Sequence, residues 1–301
     1  MRDIVVSAAR VGRLHGQVNQ PRIDISHYTV IVNPGRRTAP QSLQERSMID
    51  STQLAAQYKS EWDRAGNAII PGFLNADEVA DVQAHIDALL NTDPPAVPAE
   101  NRFLEDKDRR DTVKYLAHLT DYDPFFDDLQ RSARCVQLAE GLMGDGASHQ
   151  NVEWFNKCAE IGRETPPHQD GYYYMIEPNE GIHFWLALDD VDESNGCVRY
   201  IPGSHRRGLR PHVQGTLIGF SQAIADYGDA DEAAMKPTAL AAGDLLVHHT
   251  LTIHRADRNT SRRSRRALGI VYYAARAKVD EAKVTAYRED VFKQWQEAGK
   301  I

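Results

Sequence analysis

Cysteine is scarce in this chain. Its three cysteines, Cys135, Cys158 and Cys197, are an odd number without CxxC spacing. They suit a reducing compartment, give no zinc signal, and lead to an expected cytoplasmic location. Long apolar runs are missing too. No stretch approaches the roughly 20 residues of a membrane-spanning helix. Ile4-Val5-Val6 is too short for the core of a signal peptide, and the ending Gly299-Lys300-Ile301 is not a peroxisomal address. Positive charge is also in deficit: 35 Lys and Arg against 43 Asp and Glu give a net charge of -8. That balance argues against a nucleic-acid or membrane-surface partner. What remains, 42% hydrophobic and 26% charged residues, is ordinary for a soluble globular protein with ample core material.

No linker divides the second half of the 301 residues, which favours one large β-rich domain over two small ones. Residues 1–50 are polar and broken by Pro21, Pro34-Gly35 and Pro40, with one strand-like run from Tyr28 to Val32. They are expected to be an N-terminal leader, extended or packed on a domain covering 51–301; Met48 offers an alternative start. From Ser51 the pattern is helical, and Asn67 to Leu74 reads as a short strand and turn. Asn75 with Glu78 forms a capping box for a helix reaching about Leu90. A second amphipathic helix is expected from Pro124 to Leu142. Beyond Val152 the texture changes to short apolar runs with turn signals, which predicts an antiparallel sandwich or barrel. Ile182–Leu188, Gly196–Ile201, Gly243–His249 and Ala267–Ala274 are the clearest strands. The acidic insertion between Arg210 and Pro237 has the length of a lid or binding loop.

The chemistry concentrates at Pro166-Pro167-His168-Gln169-Asp170-Gly171. The proline pair excludes a helix interior and aromatics follow, so the segment reads as strand. Residues two apart on a strand share a face, which lets His168 and Asp170 converge on one point. A further histidine from elsewhere completes the 2-His-1-carboxylate face of non-haem Fe(II) oxygenases. With 12 His and 43 acids, one or two such triplets are expected by chance. His85-Ile86-Asp87 is a decoy: it falls on the Asn75 helix, where residues two apart point about 200° apart. His248, His249 and His254 all compete as the third ligand. A co-substrate with a far carboxylate would also need an arginine fork, and Arg262, Arg263, Arg265 and Arg266 follow closely.

Three groups of residues in order resemble the phytanoyl-CoA dioxygenase (PhyH) family of Fe(II)/2-oxoglutarate oxygenases. They are Pro167-His168-Gln169-Asp170-Gly171; Asn195-Gly196-Cys197 with Ile201-Pro202-Gly203-Ser204-His205; and Gly243-Asp244-Leu245-Leu246 with Ile253-His254, Asn259 and Arg265-Arg266-Ala267. The resemblance runs from about Trp62 to Ala275. It implies a mainly β fold with flanking helices around a double-stranded β-helix, the cupin-like jelly-roll. It places the second ligand histidine on His254 and the 2-oxoglutarate arginine on Arg265, which settles the competition. Lys114 matches a lysine near the oxoglutarate and Trp185 an aromatic of the pocket wall. The implied cofactors are Fe(II) with 2-oxoglutarate and O2 as co-substrates. The implied reaction is hydroxylation of a small molecule with release of succinate and CO2. Halogenating relatives replace the carboxylate ligand with a small residue; Asp170 is intact here.

Plainer readings exist for each residue. His168 and Asp170 could be a surface hydrogen-bonded pair, His254 a turn histidine, and the arginine run a solvated face. His248 and His249 could be strand residues facing opposite ways, and His205 a structural turn residue. Tyr172 and Tyr174 would share the metal-facing side of the strand by period two and line the substrate site, or merely pack. The functional alternatives are a cupin-like metal enzyme that uses no oxoglutarate and a non-catalytic metal- or ligand-binding relative.

Overall fold

The computed structural model describes residues 51–214, 222–287 and 289. The expected leader and Met48 lie outside them. The described chain begins with α1 (Ser51–Ala65), β1 (Asn67–Ile70), α2 (Ala76–Leu90), β2 (Arg102–Leu104), β3 (Val113–Leu116), α3 (Pro124–Gln130), α4 (Ala133–Met143) and β4 (Ala147–Lys157). It continues with β5 (Thr165–His168), the single turn α5 (Gly171–Tyr174), β6 (Ile176–Glu177), β7 (Gly181–Ala187), β8 (Val198–Tyr200), β9 (His212–Gln214) and β10 (Gln222–Ile224). Then follow α6 (Asp229–Ala234), β11 (Lys236–Pro237), β12 (Leu245–His249), β13 (His254–Ala256), β14 (Arg265–Ala274) and β15 (Lys278–Val279).

A seven-stranded sheet runs β1-β12-β7-β14-β4-β3-β2, and a four-stranded sheet runs β11-β8-β13-β5. All of these pairings are antiparallel. Strands far apart in sequence interleave in two facing sheets, which is the jelly-roll, here with helices on one side. The expected fold class holds.

The large sheet is two-sided in its chemistry. β7 is buried along its whole length, so its alternation separates one buried environment from another rather than core from solvent. Ile182, Phe184 and Leu186 join Leu245, Val247, Leu268 and Ile270 in a core with Val82 and Ile86 of α2 and Leu138 and Leu142 of α4. Each such side chain, fully buried, contributes about 1.5–3 kcal/mol relative to exposure. The alternate residues Trp185, Ala187, Leu246 and Ala267 turn the other way and pack with Val198 and Tyr200 of the small sheet. His183 of β7 faces His248 of β12 on that inner side.

Two local expectations meet different fates. The Asn75–Glu78 capping box is present, and Glu78 also pairs with Arg134 at 2.9 Å, tying α2 to α4. The single helix expected from Pro124 to Leu142 is two helices. Ser132 accepts a hydrogen bond from Cys135 N and caps a new start, the local competition by which serine interrupts a helix. Of the Arg210–Pro237 insertion, residues 215–221 lie outside the described residues. Its flanks pair as β9 with β10, and Arg210 holds Asp226 and Asp231, each at 2.9 Å.

Candidate metal centre

β5 ends at His168, and β13 lies antiparallel beside it with His254 directly opposite His168. Asp170 is not on that strand. Its backbone is helical (φ -57°, ψ -34°) and its carbonyl accepts from Tyr173 N and Tyr174 N, so the chain turns into α5 at this residue. Gly171 permits the turn, because a Cβ there would come within 2.2 Å of the Asn179 side chain. The shared face of a strand is therefore not what joins His168 to Asp170; the turn is.

The three side chains nevertheless converge. His168 Nε2 and His254 Nε2 lie 3.4 and 3.6 Å from Asp170 Oδ1. His168 Nδ1 donates to Pro166 O at 2.8 Å and His254 Nδ1 to Thr252 O at 3.0 Å. A carbonyl can only accept, so both protons sit on Nδ1 and both Nε2 lone pairs face the carboxylate oxygen. Three lone-pair donors facing one another repel unless a cation lies between them. Their spacing suits ligand bonds of about 2.1 Å, and two imidazoles with one carboxylate suit a divalent ion such as Fe(II). Burial raises the Asp170 carboxyl, but the histidines around it, His254 first, outweigh burial and hold it well below the usual range. Burial, and then His168, keeps His254 neutral.

The other carboxylate oxygen is also engaged. His183 Nδ1 lies 3.0 Å and His248 Nε2 2.9 Å from Asp170 Oδ2, and the Tyr200 hydroxyl lies 2.9 Å from His248 Nδ1. A proton donated by Tyr200 to Nδ1 leaves His248 Nε2–H to donate to Asp170. The carboxylate is thus split, one oxygen toward His168 and His254 and one toward two donors. Sequence reasoning weighed His248 as a ligand and missed His183 entirely. The signal that could have found His183 is its period-two alignment with Trp185 in an otherwise apolar strand. Gly269 makes its niche: a Cβ there would stand 2.7 Å from His183 Nε2. His249 points away, 5.8 Å from Trp62 and 5.4 Å from His205, so the two neighbouring histidines do face opposite ways.

These groups open into a cavity of about 260 Å³. Arg265 and Trp185 line it, with the guanidinium 5.0 Å from the Trp185 ring centre. Arg265 is 4% exposed and forms no ion pair among the described residues; its Nε has no partner. Burial lowers its pKa to about 10. Arg266, one residue on, points outward and grips Asp189 with two hydrogen bonds of 2.7 and 2.9 Å. Lys114 also lines the cavity, 3.7 Å from Glu105. Lys157, which the sequence did not single out, lies opposite Arg265 in the β4–β14 register. It is buried, and its ammonium donates to Arg163 O. The tyrosine expectation needs correction. Tyr174 lines the cavity, but Tyr172 stacks on His212 at 4.4 Å, and Tyr173 takes the inward place, 6.1 Å from His168. The chain is helical here, so about 100° per residue replaces the strand's period of two.

A phytanoyl-CoA dioxygenase of Arabidopsis thaliana is 26% identical over 239 residues, covering 68% of this chain and 83% of its own length. The peroxisomal phytanoyl-CoA dioxygenase of Mus musculus is 23% identical, with 88% and 82% covered. Among solved structures, the epimerase SnoN in complex with Fe3+, alpha ketoglutarate and nogalamycin RO aligns with a TM-score of 0.61 at 25% identity, over 75% of this chain and 86% of that one. The family model described as Phytanoyl-CoA dioxygenase (PhyH) matches residues 62–267, which takes in every residue of the metal-facing cluster and Arg265. On that match, the chain belongs to the phytanoyl-CoA dioxygenase family.

Proposed function

We propose that this protein is an Fe(II)/2-oxoglutarate-dependent dioxygenase that hydroxylates an unactivated C–H bond of a small molecule, with release of succinate and CO2. The observation that carries the reading is Arg265. A buried guanidinium with no counterion among the described residues opens into the same cavity as three lone pairs aimed at one point. A dicarboxylate that chelates the ion at one end and meets the guanidinium at the other answers both at once. A metal enzyme without oxoglutarate leaves Arg265 unexplained.

Bound iron, with 2-oxoglutarate and O2, supplies the oxidising chemistry. His168, Asp170 and His254 hold the ion, and the Pro166 and Thr252 carbonyls fix the two imidazoles in the ligating tautomer. Arg265 presents a planar fork to the far carboxylate, kept in plane by Trp185 beneath it. Lys114 and Lys157 line the same cavity as further hydrogen-bond donors. Asp170 occupies the position that a halogenating enzyme leaves for halide, which supports hydroxylation or a related oxidation over halogenation. The residues involved run from 114 to 265, and 51–301 serves as one oxygenase domain. Among the described residues no helix is long and apolar enough to cross a membrane, and the three cysteines are free and buried. Those thiols support a reducing, cytoplasmic setting.

The test is Fe(II)- and 2-oxoglutarate-dependent succinate release by the purified protein, across pools of small metabolites. Asp170→Ala should abolish it in a protein that still folds by circular dichroism, though with about 1–3 kcal/mol less stability because His183 and His248 lose their acceptor. Succinate release that persists at the wild-type rate in the variant, or without iron, would refute the proposal.

A further inference from the structure

The cavity has two chemically different ends. One is marked by Arg265 and by Lys157 opposite it in the β4–β14 register, with the Arg265 guanidinium over the Trp185 ring. Four residues further back along β4 stands the carboxylate of Glu153, and Tyr115, Phe155 and Tyr174 line the cavity with it, Phe155 lying between the two charged places. Glu153, Phe155 and Lys157 take alternate places on β4 and so project from one face of the large sheet. The Tyr115 ring stacks on Phe155 at 5.3 Å, and Tyr174 leans on Tyr273 at 5.2 Å.

Glu153 has hydrogen bonds, and its charge feels the imidazole of His183, but among the described residues it forms no ion pair. It accepts from Asn151 Nδ2 at 2.7 Å and from the Tyr115 hydroxyl, both neutral donors. Among the described residues no lysine or arginine pairs with it, whereas Glu105 at the rim has Lys114 and Arg163. The free nitrogen of neighbouring His183, Nε2, makes no hydrogen bond. Burial pushes the Glu153 carboxyl up. A carboxylate in such a place is costly unless a cation arrives to pair with it.

Resting on the oxygenase reading above, we propose that this end receives the primary substrate and that the substrate is a small organic cation, a protonated or quaternary amine. Its positive group sits among Tyr115, Phe155, Tyr174 and Glu153. Ring faces attract cations through their quadrupole, most strongly where water is excluded, and the carboxylate adds the opposite charge. The division also sorts the two ligands. The dicarboxylate is drawn to the Arg265 end and repelled from Glu153, and the amine the reverse, so each leaves the other's place free.

The probes are choline and its uncharged isostere 3,3-dimethylbutan-1-ol. Each is titrated anaerobically into the protein loaded with Fe(II) and 2-oxoglutarate, following the perturbation of the iron-to-oxoglutarate absorption band. Choline should bind about tenfold or more tightly than the alcohol, the scale of one charge-assisted contact. Glu153→Gln should remove most of that preference without weakening 2-oxoglutarate binding. Phe155→Leu should weaken choline more than the alcohol. Equal affinity for the two probes, no perturbation by choline at millimolar concentration, or a preference that survives Glu153→Gln would overturn the proposal. A wild-type protein showing no band with iron and oxoglutarate would instead overturn the oxygenase reading, so the two failures are told apart.

Discussion

Replacing Arg265 by lysine keeps the charge at the oxoglutarate end of the cavity and removes the fork. The residue is 4% exposed, has no counterion among the described residues, and lies 5.0 Å from the Trp185 ring centre. Its planar group is therefore pre-positioned, with both outer nitrogens available to one carboxylate. Lysine would retain a point charge but lose one of two charge-assisted hydrogen bonds, about 1.5 kcal/mol, and part of the stacking on Trp185, about 0.5 kcal/mol. The total of about 2 kcal/mol is roughly thirtyfold in the dissociation constant of 2-oxoglutarate. Arg266→Lys is the matched control. It disturbs only the partly exposed pair with Asp189, worth about 0–1 kcal/mol of stability and nothing for oxoglutarate. The assay is anaerobic 2-oxoglutarate titration of the Fe(II) protein by its absorption band, with iron affinity measured separately. Iron affinity should be unchanged in both variants. Equal losses at the two positions, or none at Arg265, would refute the assignment and reopen a metal enzyme that uses no oxoglutarate.

His248→Phe removes one of the two donors to Asp170 Oδ2; iron affinity should fall about tenfold or more in competition with a chelator, the usual effect of losing support behind a ligand. Gly269→Ala places a methyl 2.7 Å from both His183 Nε2 and Phe155; it should cost about 1–3 kcal/mol in urea unfolding, and an unchanged midpoint would show that the niche can widen. Burial lowers the pKa of His249 to about 3, against about 6.5 in the unfolded chain. The unfolded chain therefore binds the extra proton, and this stability is full above pH 6.5 and lost as pH falls toward 3. The partly open ring should account for about 1–2 kcal/mol between pH 7 and pH 5, seen as a shallower acid loss of stability in His249→Gln.

The convergence of His168, His254 and Arg265 on one cavity was legible because the sequence carries them in ordered, spaced motifs that do not depend on exact backbone geometry. His168 and Asp170 were rightly paired for the wrong local reason: the proline pair and the tyrosines suggested a continuous strand, while the backbone turns helical at Asp170. The same error put Tyr172 in the cavity in place of Tyr173. His183 had no sequence partner at all, since its bond to Asp170 joins elements that only the folded sheets bring together. The break at Ser132 was hidden because the apolar spacing continues through it. Glu153 was obscured differently: it stands next to the buried Trp154, and only the register of β4 shows which of the two meets the cavity.

That register has a consequence for how such a protein changes over generations. Along β4, Val152 and Trp154 belong to the helix-packed core, while Glu153 and Phe155 meet whatever enters the cavity. Substitutions at the second pair alter the tenant without loosening the foundations, and substitutions at the first do the opposite. A lineage can therefore drift from one substrate to another by exchanging alternate letters of a single strand, with the metal-facing residues, which stand on other elements, left untouched.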